Sequence, residues 1–75
     1  MSTHYTELRF YSRILPKKAV QALLKDIRSH GDIFKVVKTN TGYEATEDGT
    51  LIFRAMNGTR NYLCRLSTSH FPHMH

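Results

Sequence analysis

Arginine alternates with tyrosine near the start of the chain, at Arg9, Tyr11 and Arg13, and two further arginines, Arg54 and Arg65, follow much later. Alternate residues of a β-strand point to the same side, so the first three side chains would share one face of a strand. Guanidinium groups bind phosphates and carboxylates through paired hydrogen bonds. A tyrosine ring on a sheet can stack on a nucleic-acid base. These residue types indicate an anion-binding surface that carries one aromatic ring.

The segment that would position Arg54 and Arg65 is a β-hairpin over residues 51–66, with its turn at Asn57-Gly58. Asn-Gly between alternating apolar residues is typical of a type I′ turn, which needs positive φ at both central positions. The core face of this hairpin would carry five residues: Leu51, Phe53, Tyr62, Cys64 and Leu66. The other face would carry three pairs: Ile52 with Leu63, Arg54 with Asn61, and Thr50 with Arg65.

Residues 5–15 are expected to form a half-buried strand, because apolar and polar residues alternate there. Leu8, Phe10 and Ile14 would point to the core, and Arg9, Tyr11 and Arg13 would point away from it. A helix is predicted over residues 16–29, since Pro16 suits the first helical position. Its apolar stripe recurs at spacings of three and four residues: Ala19, Val20, Leu23, Leu24 and Ile27.

Lys17 and Lys18 lie in the first turn of this helix, where the helix dipole disfavours cations. The simple interpretation is that exposed lysines tolerate the position at small cost. The functional interpretation is that a phosphate or an acidic partner docks there, using both lysines and the free backbone N–H groups.

Two more strands are predicted over residues 33–38 and 43–46. Between the second of these and the hairpin, a three-residue loop with Gly49 in a bulge pairs Tyr43 with Phe53 and Ala45 with Leu51, which keeps the core face apolar. A two-residue Asp48-Gly49 loop is the alternative. The predicted fold is α+β, in the order β-α-β-β-β, with one helix packed on one face of a mainly antiparallel sheet. The first strand could lie parallel to the second or pair with the last.

The size and charge of the chain favour a binding module. It has 75 residues and a formal net charge of +5, with eleven Lys plus Arg against six acidic residues. We expect one domain over residues 1–75, with an ordered core at about 5–67 and a polar tail at 68–75. Excess positive charge favours anionic partners, namely nucleic acid or an acidic protein surface. The single Cys64 fits a reducing compartment, and no apolar run resembles a signal peptide or a membrane span. We therefore expect a cytoplasmic protein with no membrane partner.

The histidines and acids give weak support for catalysis or metal binding. His70, His73 and His75 have the spacing of a metal-binding tract but lack carboxylate or thiolate partners nearby, so no metal and no cofactor are expected. His30 with Asp32 could in principle serve metal-free RNA cleavage by acid–base catalysis.

In the order of its elements, the predicted helix followed by Phe34 and a meander of three strands resembles HicA-type ribonuclease toxins and the double-stranded-RNA-binding fold. The Gly-Ser-His signature of those toxins has no counterpart, since Thr41-Gly42-Tyr43 stands about where it would fall. We therefore assign no catalytic residue and expect that the protein is not an enzyme.

The sequence thus predicts a small basic accessory or regulatory protein that binds the backbone of DNA or RNA through one sheet face. The binding residues would be nine: Arg9, Tyr11, Arg13, Lys17, Lys18, Ile52, Arg54, Leu63 and Arg65. The alternative is a small regulatory or inhibitory protein, of the kind that phages and mobile elements encode, which binds a larger host protein through the same face. Homodimerisation through that face is a further option.

Overall fold

The computed structural model describes residues 8–74. The predicted start of the first strand and His75 of the histidine tract lie outside the described residues. The described residues form one α-helix and five strands: β1 (Phe10–Pro16), α1 (Lys17–Arg28), β2 (Phe34–Lys38), β3 (Gly42–Glu47), β4 (Thr50–Asn57) and β5 (Asn61–Ser67). Short 3-10 turns lie at Gly31–Ile33 and Pro72–Met74. The predicted α+β class is confirmed. The observed order is β-α-β-β-β-β, so the predicted order β-α-β-β-β has one strand too few.

The five strands form one sheet in the order β1-β5-β4-β3-β2, and every neighbouring pair is antiparallel. The first strand therefore pairs with the last, which was one of the two predicted options. This order places β1 and β2 at the two edges of the sheet. No helix of the described residues is long and apolar enough to span a bilayer.

Helix α1 packs on one side of the sheet with the stripe that the sequence predicts, since Val20, Leu24 and Ile27 are buried. Against it lie buried side chains of the central strands, among them Phe53 and Leu66. We call the other side of the sheet, away from α1, the open face. Strand register assigns it these residues: Phe10, Ser12, Ile14, Lys35, Val37, Glu44, Thr46, Leu51, Arg54, Met56, Leu63 and Arg65.

The predicted turn at Asn57-Gly58 is wrong. The chain reverses two residues later, where the Gly58 N–H donates to the Asn61 carbonyl oxygen at 2.9 Å. Met56 consequently pairs with Leu63, and Phe53 with Leu66. The longer β4 gains backbone hydrogen bonds that a turn at Asn57 would give up, including Asn57 N–H to the Thr41 carbonyl at 2.6 Å. The register moves by an even number of residues, so the faces of β5 stay as predicted.

The three-residue loop predicted for the β3–β4 hairpin is wrong, and the two-residue Asp48-Gly49 alternative is present; Tyr43 pairs with Ala55 and Ala45 with Phe53. Asp48 and Gly49 have φ values of 53° and 81°, so they form a two-residue turn with both central residues at positive φ. The irregularity lies further along, where Ala45 pairs with Phe53 but Thr46 pairs with Leu51. Ile52 is therefore the extra residue of a β-bulge.

This bulge exchanges the predicted faces of two neighbouring residues. Ile52 and Phe53 are both buried, although they are consecutive in one strand. Leu51 instead lies on the open face, because the bulge shifts the alternation of β4 by one residue. The prediction placed Leu51 in the core and Ile52 on the binding face, and both placements are wrong.

The predicted faces of β1 are also reversed. Tyr11 pairs with Leu66 and Leu15 with Tyr62, so Tyr11, Arg13 and Leu15 lie on the side of α1. Leu15 is buried, whereas Ile14 is 68% exposed. The reversal follows from tertiary packing: Leu15 is part of the core cluster that α1 covers, whereas Ile14 on the other side of the strand stays exposed.

The C-terminal segment belongs to the core, although the predicted ordered core ended at residue 67. Phe71 is buried, and its ring centroid lies 5.9 Å from that of Phe53. The Tyr11 hydroxyl donates a hydrogen bond to the Phe71 carbonyl oxygen. The segment folds back because this aromatic side chain fills the space between the end of α1 and the sheet.

Candidate partner-binding face

Three large apolar side chains lie side by side on the open face. Ile14 of β1 pairs with Leu63 of β5, and Leu63 pairs with Met56 of β4. They are 68%, 47% and 41% exposed, respectively. Since neighbouring strands are about 4.8 Å apart, the three side chains form a continuous ridge about 10 Å wide. We call these three residues the apolar row; contiguous exposed apolar surface marks an interaction site.

Beside the apolar row lies a pair of arginines. Arg54 and Arg65 are directly opposite each other on neighbouring strands. Arg54 also forms an ion pair with Glu44, with its Nε at 3.0 Å and its Nη2 at 2.9 Å from Oε2. The Arg65 guanidinium carbon lies 5.4 Å from the centre of the Phe10 ring. Together with Leu51, these arginines and Phe10 line a shallow groove of about 200 Å³.

Of the nine residues predicted to bind a partner, the open face brings together Arg54, Leu63 and Arg65. Tyr11 and Arg13 lie on the other side of the sheet, which contradicts their predicted placement. Burial raises the pKa of the Tyr11 phenol, and the Arg13 charge opposes this rise. The ring that was expected to stack on a base instead packs against the core.

The remaining predicted residues are dispersed. Ile52 is only 1% exposed and belongs to the core. Lys17 and Lys18 are exposed in the first turn of α1, on the helix side. Arg9 is exposed just before β1, and its carbonyl oxygen accepts a hydrogen bond from the Thr68 N–H. The arginines of the two segments therefore do not form one platform.

Acidic residues are concentrated towards one end of the sheet, whereas cations lie at both ends. The start of α1, the β4–β5 turn and the end of β2 lie at the same end, because Pro16 pairs with Asn61 and Lys38 with Tyr43 at the start of β3. Four cations lie at this basic end: Lys17, Lys18, Lys38 and Arg60. The opposite end carries both signs: four of the acids that the structure describes (Asp26, Asp32, Glu47 and Asp48) and the cations Lys25, Arg28 and Lys35. No carboxylate of the described residues is part of the basic end.

Several residues of the open face were not predicted. Phe10 and Ile14 were assigned to the core, and Leu51 was placed there because the bulge was not foreseen. Alternation divides β1 into two sets of side chains, but it gives no signal for which set faces the helix.

A polar cluster that was not predicted lies at the end of the sheet opposite the basic end. Ser67 Oγ is 2.9 Å from His70 Nδ1, and His70 Nε2 is 3.1 Å from Glu47 Oε1. This Ser–His–carboxylate chain has the connectivity of a hydrolase triad. Ser67, however, is completely buried, so a substrate cannot reach its hydroxyl. The cluster instead holds the C-terminal segment on the sheet. Among the residues that the structure describes, no group of three His, Cys, Asp or Glu side chains could hold a metal ion.

Cys64 is buried in the centre of the core. Burial raises the pKa of its thiol to about 11, so the thiol stays protonated near neutral pH. A thiolate is the nucleophilic form of cysteine, and this residue is therefore a packing element and not a reactive group.

Comparison with known protein families, with curated proteins and with solved structures finds no match for this chain. What the protein does must therefore be inferred from the geometry of its own surfaces.

Proposed function

We propose that this protein is a small regulatory module that docks on a larger protein through its open face. The observation that carries the proposal is the uncovered apolar row of Ile14, Leu63 and Met56 beside the arginine pair. Methionine and arginine are enriched at protein interfaces, and the centre of an interface is more apolar than the rest of a protein surface. We place this function in the cytoplasm, because the single Cys64 has no disulfide partner within the chain.

Nucleic-acid binding by the same face has less support. Tyr11, the expected stacking residue, lies on the opposite side of the sheet. Phe10 is covered by Arg65, so its ring is not free to stack on a base. Glu44 adds a carboxylate that repels phosphates, and it already pairs with Arg54.

Affinity capture from the native host tests the docking proposal, with nuclease present throughout. We expect the wild-type chain to retain one protein and the Leu63→Ser variant to lose it. Ile33→Ser is the matched control, because Ile33 is 60% exposed but lies in the 3-10 turn before β2, at the opposite corner of the molecule. Equal retention by all three chains would show that the apolar row is not the interface.

A second candidate function is nucleic-acid binding at the basic end, because Lys17, Lys18, Lys38 and Arg60 lie there with no carboxylate of the described residues among them. Lys17 and Lys18 lie there at the start of α1, a helix with no acidic residue in its first turn and no side-chain cap. Arg60 and Lys38 extend the same positive surface across the turns. Such a surface would grip phosphates without reading sequence.

Fluorescence anisotropy with a single-stranded oligonucleotide tests this second candidate. The logarithm of the affinity should fall with the logarithm of the salt concentration by about 0.7 per phosphate neutralised. A Lys17→Gln, Lys18→Gln double variant should bind more weakly, whereas Lys25→Gln, in the last turn of α1, should bind like the wild type. Binding that ignores salt, or that Lys25→Gln weakens equally, would eliminate the basic end.

A further inference from the structure

Arg54 and Arg65 occupy an unfavourable arrangement. They are directly opposite each other on neighbouring strands of the open face, and like charges in that position destabilise a sheet. Glu44 offsets the charge of Arg54. Among the described residues, no carboxylate pairs with Arg65, whose guanidinium rests over Phe10. A local conflict of this kind in a folded protein is expected at a functional position.

The groove between these arginines has the composition of an anion site. Arg54 and Arg65 line it together with Phe10 and Leu51, so guanidinium groups stand beside an apolar floor. Arginine forks bind carboxylates through two parallel hydrogen bonds, and an apolar floor strengthens such bonds by excluding water.

The groove also has a defined distance from the apolar row. Leu63 and Arg65 are two residues apart on β5, and Met56 and Arg54 are two apart on β4. Two residues of a strand span about 7 Å. This distance matches the spacing between side chains two residues apart on an extended peptide. It is also close to the spacing between side chains three or four residues apart on a helix.

We propose that the arginine pair receives an Asp or Glu side chain of the partner protein, while a large apolar residue of the same partner segment sits on the apolar row. The proposal rests on the docking function above and adds the chemistry of the partner: an acidic segment with its carboxylate about 7 Å from an apolar anchor.

Charge argues against a second copy of the chain as the occupant. The open face offers one carboxylate, Glu44, which is already paired, against three cations, Lys35, Arg54 and Arg65. Two such faces in contact would oppose like charges. A nucleic-acid strand could satisfy the arginines but would leave the apolar row uncovered.

Selection from a library of random peptides against the immobilised full-length chain tests the proposal. We expect the selected peptides to carry Asp or Glu two, three or four residues from a bulky apolar residue. Arg65→Gln should weaken their binding by about tenfold to a hundredfold, as expected for loss of a charge-assisted hydrogen bond. Arg28→Gln removes the same charge from an exposed position in the last turn of α1, on the other side of the sheet, and should leave binding unchanged. Selection against Arg65→Glu should yield basic peptides instead.

The other outcomes separate this inference from the docking function. Neutral peptides that Leu63→Ser weakens but Arg65→Gln does not would overturn the carboxylate site and leave docking intact. Peptides insensitive to both changes, or no selected peptide, would overturn both. If a mixed-sequence oligonucleotide displaces the peptides, and if Arg65→Gln abolishes the binding of that oligonucleotide, the arginine pair would be reassigned to phosphate binding.

Discussion

Phe71 closes the core at the end of the molecule where α1 finishes. Its ring is buried against Phe53, and its carbonyl oxygen accepts the Tyr11 hydroxyl. Next to it, His70 links Ser67 to Glu47. A few side chains thus attach a segment that the sequence presents as a polar tail.

Replacing Phe71 by alanine should lower the free energy of unfolding by about 3–5 kcal/mol, because a buried aromatic ring is lost and leaves a cavity. Urea denaturation measures this value. His73→Ala, at an exposed neighbouring position, is the control and should change stability by less than about 0.5 kcal/mol. Equal stability of the two variants would mean that the segment does not contribute to the core.

Cys64 should make stability depend on pH in the alkaline range. Burial raises the pKa of its thiol from 9.0 to about 11 in the folded state. Between these values the unfolded chain releases the proton and the folded chain keeps it, so this thiol contributes a loss of stability as pH rises through that window.

Unfolding free energies measured below and above this window, for the wild type and for Cys64→Ala, isolate the effect. The wild type should lose more stability than the variant as pH rises, since the other titrating groups are common to both. Parallel pH profiles would contradict a buried, protonated thiol.

At the scale of the elements, the β3–β4 hairpin decides how β4 divides its side chains between the core and the open face. Its turn at Asp48 and Gly49 is followed by the bulge at Ile52. At the other end, Gly42 lies so close to β4 that an added Cβ would sit 1.9 Å from the Ala55 carbonyl oxygen. One hairpin therefore contains two glycines with different physical roles.

The two glycines should respond differently to substitution by alanine. Gly49→Ala meets no neighbouring atom within 4 Å, so its cost is that of positive φ alone, about 1–2 kcal/mol. Gly42→Ala must displace the backbone of β4, and we expect a loss above about 4 kcal/mol. Thermal or urea unfolding of the two variants gives the comparison. Equal losses would argue against the close approach of β3 and β4.

At the scale of the whole molecule, the sheet separates a helix-covered core from an open face that is apolar in one part and positive beside it. The row of Ile14, Leu63 and Met56 would favour self-association, whereas the cations of the same face oppose it. Among the described residues of this face, Glu44 is the one carboxylate and is already paired, so we expect repulsion to dominate between two copies.

The isolated protein should therefore be monomeric, with a mass of 8.7 kDa by sedimentation equilibrium. High salt should weaken the repulsion and favour association through the apolar row. A dimer already stable at low salt, and dissociated by Leu63→Ser, would identify a second copy as the occupant of the open face.

The amino-acid sequence by itself determined the class of the fold and most of the helix. The stripe of Val20, Leu24 and Ile27 and the proline before it specify an amphipathic helix through contacts only a few residues apart, so α1 matches its predicted range to within one residue at each end. The inward set of β5, Tyr62, Cys64 and Leu66, was likewise evident from alternation and is buried.

Only the tertiary structure decided which residues the open face displays. Alternation divides a strand into two sets but does not say which set meets the helix. In β1 that choice follows from the packing of Leu15 under α1. In β4 the choice changes at Ile52, which is an extra residue opposite the step from Ala45 to Thr46 in β3. These choices depend on contacts between residues far apart in the chain, and so Tyr11 and Arg13 lie on one side of the sheet while Arg54 and Arg65 lie on the other.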